Sequence, residues 1–164
     1  MLSHAAYWIW SRTLSSIYRR LPIFGRLRGC IAIVESGGAY LTIRRHDGLG
    51  LCFPGGFAKR GESHLQAIQR EFREETGMLL SEVEEIFTFE SDERLPASTI
   101  VFRGQASGTL RGSWEGTPQW LSLAEIESRA ILVDQKPVVA YLRQQTAQDY
   151  STQEPPPNID SSRR

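Results

Sequence analysis

The sequence predicts an α/β (α+β) sandwich built on a mixed sheet. Three observations carry that expectation. Short β-branched runs are bounded by glycine turns, one strongly capped helix sits mid-chain, and further strands precede two C-terminal helices. At 164 residues the chain suffices for one domain with its own core.

The chain opens with an amphipathic helix over residues 6–21, where Tyr7, Trp10, Leu14, Ile17 and Leu21 recur at three- and four-residue steps. Pro22 and Gly25 end it. Residues 29–35 read as a strand, Ser36, Gly37 and Gly38 as a turn, and 39–44 as the return strand of a hairpin. A short strand over 51–53 is stopped by Pro54, Gly55 and Gly56. Next comes the best helix. Ser63 and Gln66 form a capping box, Leu65, Ile68 and Phe72 make the buried stripe, and Gly77 is the C-terminal stop.

Two longer strands follow over 83–90 and 98–105, joined by a polar loop at 91–96. After a glycine-rich stretch (107–116), residues 118–121 read as a strand. Ser122 and Glu125 form a second capping box for a short helix. Asp134 caps a last helix, with Pro137 in its first turn, ending near 145. The polar tail contains Pro155, Pro156 and Pro157 and reads as disordered. The chain thus divides into an N-terminal helix (1–27), a central domain (28–145) and a tail (146–164).

Formal net charge is zero, so no bulk pull toward nucleic acid or membrane is implied. The charges are nevertheless uneven. No acidic residue precedes Glu35, whereas Arg12, Arg19, Arg20, Arg26 and Arg28 do. The basic helix is expected to pack on the domain or to pair across a homodimer, with peripheral membrane contact as the alternative. No basic-aromatic run suggests RNA readout. Cys30 and Cys52 lie in apolar runs and are expected to be buried thiols. No apolar run approaches the ~20 residues of a membrane span, and the N-terminus lacks signal-peptide character. A cytoplasmic location is the expectation.

Chemistry concentrates between Gly56 and Met78. On a helix, Glu71 and Glu75 stack at i, i+4 beside the apolar stripe, and Glu74 lies a step further round. Like charges so close repel, and a divalent cation relieves this. Mg²⁺ prefers a few carboxylate oxygens together with waters and phosphate oxygens. Gly55 and Gly56 allow close approach, and a carbonyl from that turn is a candidate ligand. Glu62 is placed to orient Arg70 or its neighbours. The competing reading is a solvated, salt-bridged helix with an Arg70–Glu74 pair.

The segment resembles the Nudix box, Gly-x5-Glu-x7-Arg-Glu-U-x-Glu-Glu-x-Gly-U, where U is bulky and apolar. Gly56, Glu62, Arg70, Glu71, Phe72, Glu74, Glu75, Gly77 and Met78 fill its fixed positions. The resemblance implies a Nudix-type α/β/α sandwich and a pyrophosphohydrolase that directs water at a diphosphate linked to another moiety. It also implies Mg²⁺ or Mn²⁺ bound by Glu71, Glu74, Glu75 and the Gly56 carbonyl, with catalysis by Glu74 and Arg70. Glu62, Gly55 and Gly77 take structural or orienting roles. A late acidic residue, Glu115, lies in a stretch that resembles the one where many members place a glutamate near the metal; it is a candidate ligand or general base, with an exposed loop residue the equal alternative.

Arg44 and Arg45, ending the second strand, are candidates for phosphate contact by at least one of them, with an exposed strand end as the alternative. His46 and His64 are of a type that titrates near neutrality, and as lone histidines they read as bystanders rather than catalysts. Trp114 and Trp120 are candidates for base stacking, with core packing the preferred reading for Trp120. Subfamily marks are incomplete. Leu41 to Arg44 matches part of the element of coenzyme A-cleaving members, the signal of NADH-cleaving members is absent, and Pro96 lies too far along for ADP-ribose-cleaving ones. The expected partner is a small nucleotide-type molecule: nucleotide, nucleotide sugar or dinucleotide. Some proteins of this fold sense nucleotides or scaffold complexes without cutting. Loss of box carboxylates would mark that alternative, and none is lost here.

Overall fold

The computed structural model describes residues 25–152, with side chains through residue 148. The N-terminal helix expected over 6–21 and the distal tail lie outside the described residues.

Among the described residues, eight strands and three α-helices form two sheets with helices on either side. The first sheet contains β1 (Leu27–Ile33), β5 (Gly55–Phe57), β6 (Leu79–Ser91) and β7 (Ala97–Ser107), in the order β5-β1-β7-β6. It is mixed: β1 runs parallel to β7, and the other pairs are antiparallel. The second sheet is antiparallel. Its β3 (Ala39–Arg45) pairs with β2 (Glu35–Ser36), β4 (Leu51–Cys52) and β8 (Gly116–Ser122).

The expected hairpin from 29–35 to 39–44 is confined to its tip. Only Glu35 and Ser36 pair with Tyr40 and Ala39, while β1 belongs to the other sheet. Burial on both faces explains the division. Along β1, Cys30 and Ala32 pack into one core, and Ile31 and Ile33 into a second. The first core is closed by α1 (His64–Thr76) through Ala67, Ile68 and Phe72. The second is closed by α2 (Leu123–Glu127) and α3 (Lys136–Thr152) through Ile126, Val138 and Leu142. A sheet buried on both faces reads as a continuous apolar run rather than an alternating one.

Both capping boxes form as expected. Ser63 Oγ accepts from Gln66 N at 3.1 Å while Gln66 Oε1 accepts from Ser63 N at 2.9 Å. Ser122 and Glu125 do the same for α2. Gly77 ends α1 at φ 73, the left-handed conformation that favours glycine. The stripe of α1 needs correction: Leu65 is 45 % exposed. The buried face centres on Ile68 and Phe72, with Ala67, Glu75 and Thr76 beside them. This turns first-turn Leu65 to the rim and draws one carboxylate into the interior.

Asp134 does not cap the last helix. A 3-10 turn, Val133–Gln135, with no side-chain cap precedes α3, which runs past 145 to Thr152. The segment before it is stapled to β4. Leu51 N donates to Ala130 O at 2.8 Å, Leu132 N to Leu51 O at 2.8 Å, and Phe53 N to Gln135 Oε1 at 2.6 Å. The strand expected from 83 begins at Leu79. Two register shifts and a positive φ at Glu82 break the alternation that would have revealed its start. No helix among the described residues is long and apolar enough to cross a membrane.

Candidate active site

The site forms where α1 lies across the β5 edge of the first sheet. Gly56 pairs with Cys30 there, and its backbone lies under the Glu71 carboxylate. A Cβ at residue 56 would stand 2.6 Å from Glu71 Cδ and 2.7 Å from Oε1. The glycine is therefore needed for space. Gly55 N donates to Glu75 Oε2 at 2.9 Å, and a Cβ at residue 55 would stand 2.2 Å from the Cys30 carbonyl oxygen. The Gly56 carbonyl accepts from the Cys30 thiol at 3.4 Å.

Arg70 ties the loop before α1 to the helix. Its Nε and Nη2 donate to the two Glu62 oxygens, each at 2.9 Å, and Nη2 also donates to Phe57 O at 3.2 Å. Its Nη1 faces Glu71 Oε1 at 2.8 Å and Glu74 Oε2 at 3.3 Å. Glu62 also accepts from Lys59 N at 2.8 Å. Arg70 and then that backbone N–H hold the Glu62 carboxyl down at about 2. Fork-to-carboxylate pairing of this kind fixes direction as well as charge.

Glu71, Glu75, Gly55 and Gly56 line one end of a cleft of about 360 Å³. Arg45 and Glu115 enter it from β3 and the turn before β8. Phe89, Leu95, Leu132 and Asp134 also line it. Glu75 is only 6 % exposed. Burial pushes its carboxyl up to about 8; Glu115 and Glu71 add to the rise, and the Gly55 N–H and Arg45 oppose it. Burial also raises Glu115, with Glu71 and Glu74 adding and Arg45 opposing. The helix and the turn before β8 thus place four carboxylates within each other's fields.

The structure does not bring all expected residues to the cleft. Arg44 is exposed and does not line it, because adjacent strand residues point to opposite faces and Arg45 takes the inward position. Arg45 is already engaged, its Nε donating to the Asp47 carboxylate at 3.0 and 3.1 Å. Arg70 lies outside the lining, its guanidinium turned to Glu62, Glu71 and Glu74. Glu74 sits at the rim with a 56 % exposed side chain. Trp120 packs against the core under α1, and Trp114 is 61 % exposed. Cys30 and Cys52 are buried thiols, as expected, and both touch the cleft.

Two residues carried no sequence signal of their place at the site. Asp134 lines the cleft and faces Arg94 at 3.9 Å. His46 bonds to the turn that bears Glu115. Both are joined to the site across long stretches of chain, so no local spacing reveals them.

A box glycine pressed beneath a helix carboxylate and an arginine bridging the entry glutamate to the acidic run define the Nudix class of site. The NUDIX domain family model matches residues 24–142, and the chain belongs to that family. No curated protein matches the sequence. Among solved structures, the chain is similar to a MutT protein from the Aliivibrio salmonicida and Vibrio cholerae pair. Identity there is 25 %, covering 73 % of this chain and 98 % of that one, with TM-score 0.64. The Escherichia coli ORF135 protein is similar at 24 % identity, covering 78 % and 96 %, with TM-score 0.64. The NUDIX domain of Shewanella oneidensis NrtR, solved with ADP ribose, shares the fold at 18 % identity, covering 80 % and 97 %, with TM-score 0.64. Family membership implies a hydrolase acting on phosphorus anhydrides, a class that generally uses divalent cations.

Proposed function

We propose that this chain hydrolyses the diphosphate bond of a nucleoside diphosphate linked to another moiety, with Mg²⁺ or Mn²⁺ as cofactor. The supporting observation is the buried Glu75 facing Glu71 and Glu115 at the head of the cleft. Arg45 and Arg70 meet only part of that negative charge, and a hard cation supplies the rest.

The donor set fits such an ion: carboxylate oxygens from α1, the Gly56 carbonyl and Glu115 from the facing turn. Among the described residues no three His, Cys, Asp or Glu side chains already form a cage. Waters and substrate oxygens are the further ligands that Mg²⁺ takes. Glu71, Glu75 and Gly56 are the proposed ligands, with Glu115 the cation-facing carboxylate opposite. When bound, the cation supplies phosphate charge neutralisation and a more acidic water. Glu74, at the rim, accepts the proton of the attacking water. Arg70 is a positioning residue: through Glu62 and Glu71 it fixes the carboxylates on which the chemistry depends. Arg45, held by Asp47, presents its positive charge to the substrate phosphates.

The test is a panel of dGTP, ADP-ribose, UDP-glucose, NADH and a diadenosine polyphosphate, each assayed with Mg²⁺ or Mn²⁺ for phosphate-containing products. Cation-dependent turnover of at least one is expected. No turnover of any, or turnover unaffected by EDTA, refutes the proposal.

A further inference from the structure

We propose that His46 is a positioning residue that clamps the turn carrying Glu115 and so holds that carboxylate in the cation-binding cluster. This rests on the assignment of Glu115 as a cation-facing carboxylate made above.

The pairing of β3 with β8 ends at Arg45 and Gly116. His46 continues it by one step, its backbone N donating to Glu115 O at 2.9 Å. Its ring then reaches both sides of Glu115. Nδ1 lies 3.2 Å from Trp114 O, and Nε2 lies 2.9 Å from Thr117 Oγ1. A carbonyl only accepts, so Nδ1 carries the hydrogen. In the neutral ring Nε2 is bare and accepts from the Thr117 hydroxyl. One neutral tautomer satisfies both contacts, and together they bracket the residue before Glu115 and the second residue after it.

The turn has reason to need this. Glu115 is part-buried, and the repulsion of Glu71 and Glu74 acts on it against the attraction of Arg45. Two further bonds are local: Glu115 N donates to Ser113 Oγ at 3.1 Å and Ser113 N to Gly116 O at 3.1 Å. Those bonds shape the turn. Gly116 lies flat on β3, where an added Cβ would stand 2.4 Å from Ile43 Cγ2. The backbone bond from His46 holds Glu115 at one point, and the histidine ring adds a tie on each side of it from the other strand.

The clamp is tested by Mn²⁺ titration of metal-free protein, followed by electron paramagnetic resonance. The variants are His46→Ala, His46→Asn, Thr117→Val, Glu115→Gln and His46→Ala/Glu115→Gln, each first shown to melt cooperatively. His46→Ala is expected to weaken Mn²⁺ binding roughly tenfold, the scale of two lost hydrogen bonds. Thr117→Val, which spares the Trp114 contact, loses less, and His46→Asn, which can still donate to Trp114 O, recovers part. In the Glu115→Gln background, His46→Ala has no further effect. If Glu115→Gln weakens binding but His46→Ala does not, the clamp is refuted and the role of Glu115 stands. Equal losses from His46→Ala in both backgrounds also refute it, since the histidine then acts elsewhere. If Glu115→Gln itself binds Mn²⁺ like the wild type, the Glu115 assignment fails, and the clamp with it.

Discussion

Burial of Glu75 sets a stability that falls as pH rises. In the folded protein its carboxyl titrates near 8, against an ordinary value of 4.5. The folded state therefore holds the proton more tightly than the unfolded chain. The resulting stability is fully present below pH 4.5 and is lost as pH rises through 8. Between pH 6.5 and 8.5 the loss from this one group is about 2 kcal/mol at most, from ~1.4 kcal/mol per pH unit. Glu115 and Asp134, also raised by burial, act in the same direction. The carboxyls lowered by their partners, Glu62, Asp47 and Glu125, titrate at more acid pH and leave this window untouched. For a domain of this size the loss corresponds to roughly 4–8 °C in Tm. The assay is scanning calorimetry in EDTA at pH 6.5 and 8.5, repeated with Mg²⁺ and with Glu75→Gln. The metal-free wild type should melt lower at pH 8.5, Mg²⁺ should restore most of the difference, and Glu75→Gln should flatten it. A Glu75→Gln protein with the wild-type pH slope would refute the reasoning.

Three further outcomes follow from the geometry. Gly56→Ala forces a Cβ into the Glu71 carboxylate, so turnover should fall at least tenfold while far-ultraviolet circular dichroism stays native; wild-type turnover would show that Glu71 can move without consequence. Glu74→Gln should lower kcat by orders of magnitude in a folded protein, read by steady-state kinetics with Mg²⁺. Phe72→Ala removes a fully buried ring beneath α1 and should cost about 3–5 kcal/mol in urea unfolding.

The acidic helix was legible in the sequence because its determinants are local. Ser63, Gln66 and Gly77 set its ends, and its fixed spacing to Gly56 and Glu62 announced the site. The hairpin at 29–44 misled because a strand buried on both faces and the start of an edge strand look alike in one dimension. Arg44 and Arg45 could not be told apart until the register of β3 against β8 fixed which faced the cleft. Asp134 read as a helix cap and His46 as a lone histidine, because the partners that tie them to the site lie far along the chain: Arg94 for one, Thr117 for the other. Leu65 failed at the helix start, where the buried face turned toward Ala67.

The staple between β4 and the segment ahead of α3 has a consequence for redesign. Because Leu132 and Gln135 are bonded to Leu51 and Phe53, the stretch that lines the cleft ahead of α3 is anchored to a strand rather than borne on the helix that follows. Leu132 is itself buried against Ile43 and Cys52, so resizing it would press on the strand that carries Arg45. A change that broke the backbone staple would loosen both segments at once.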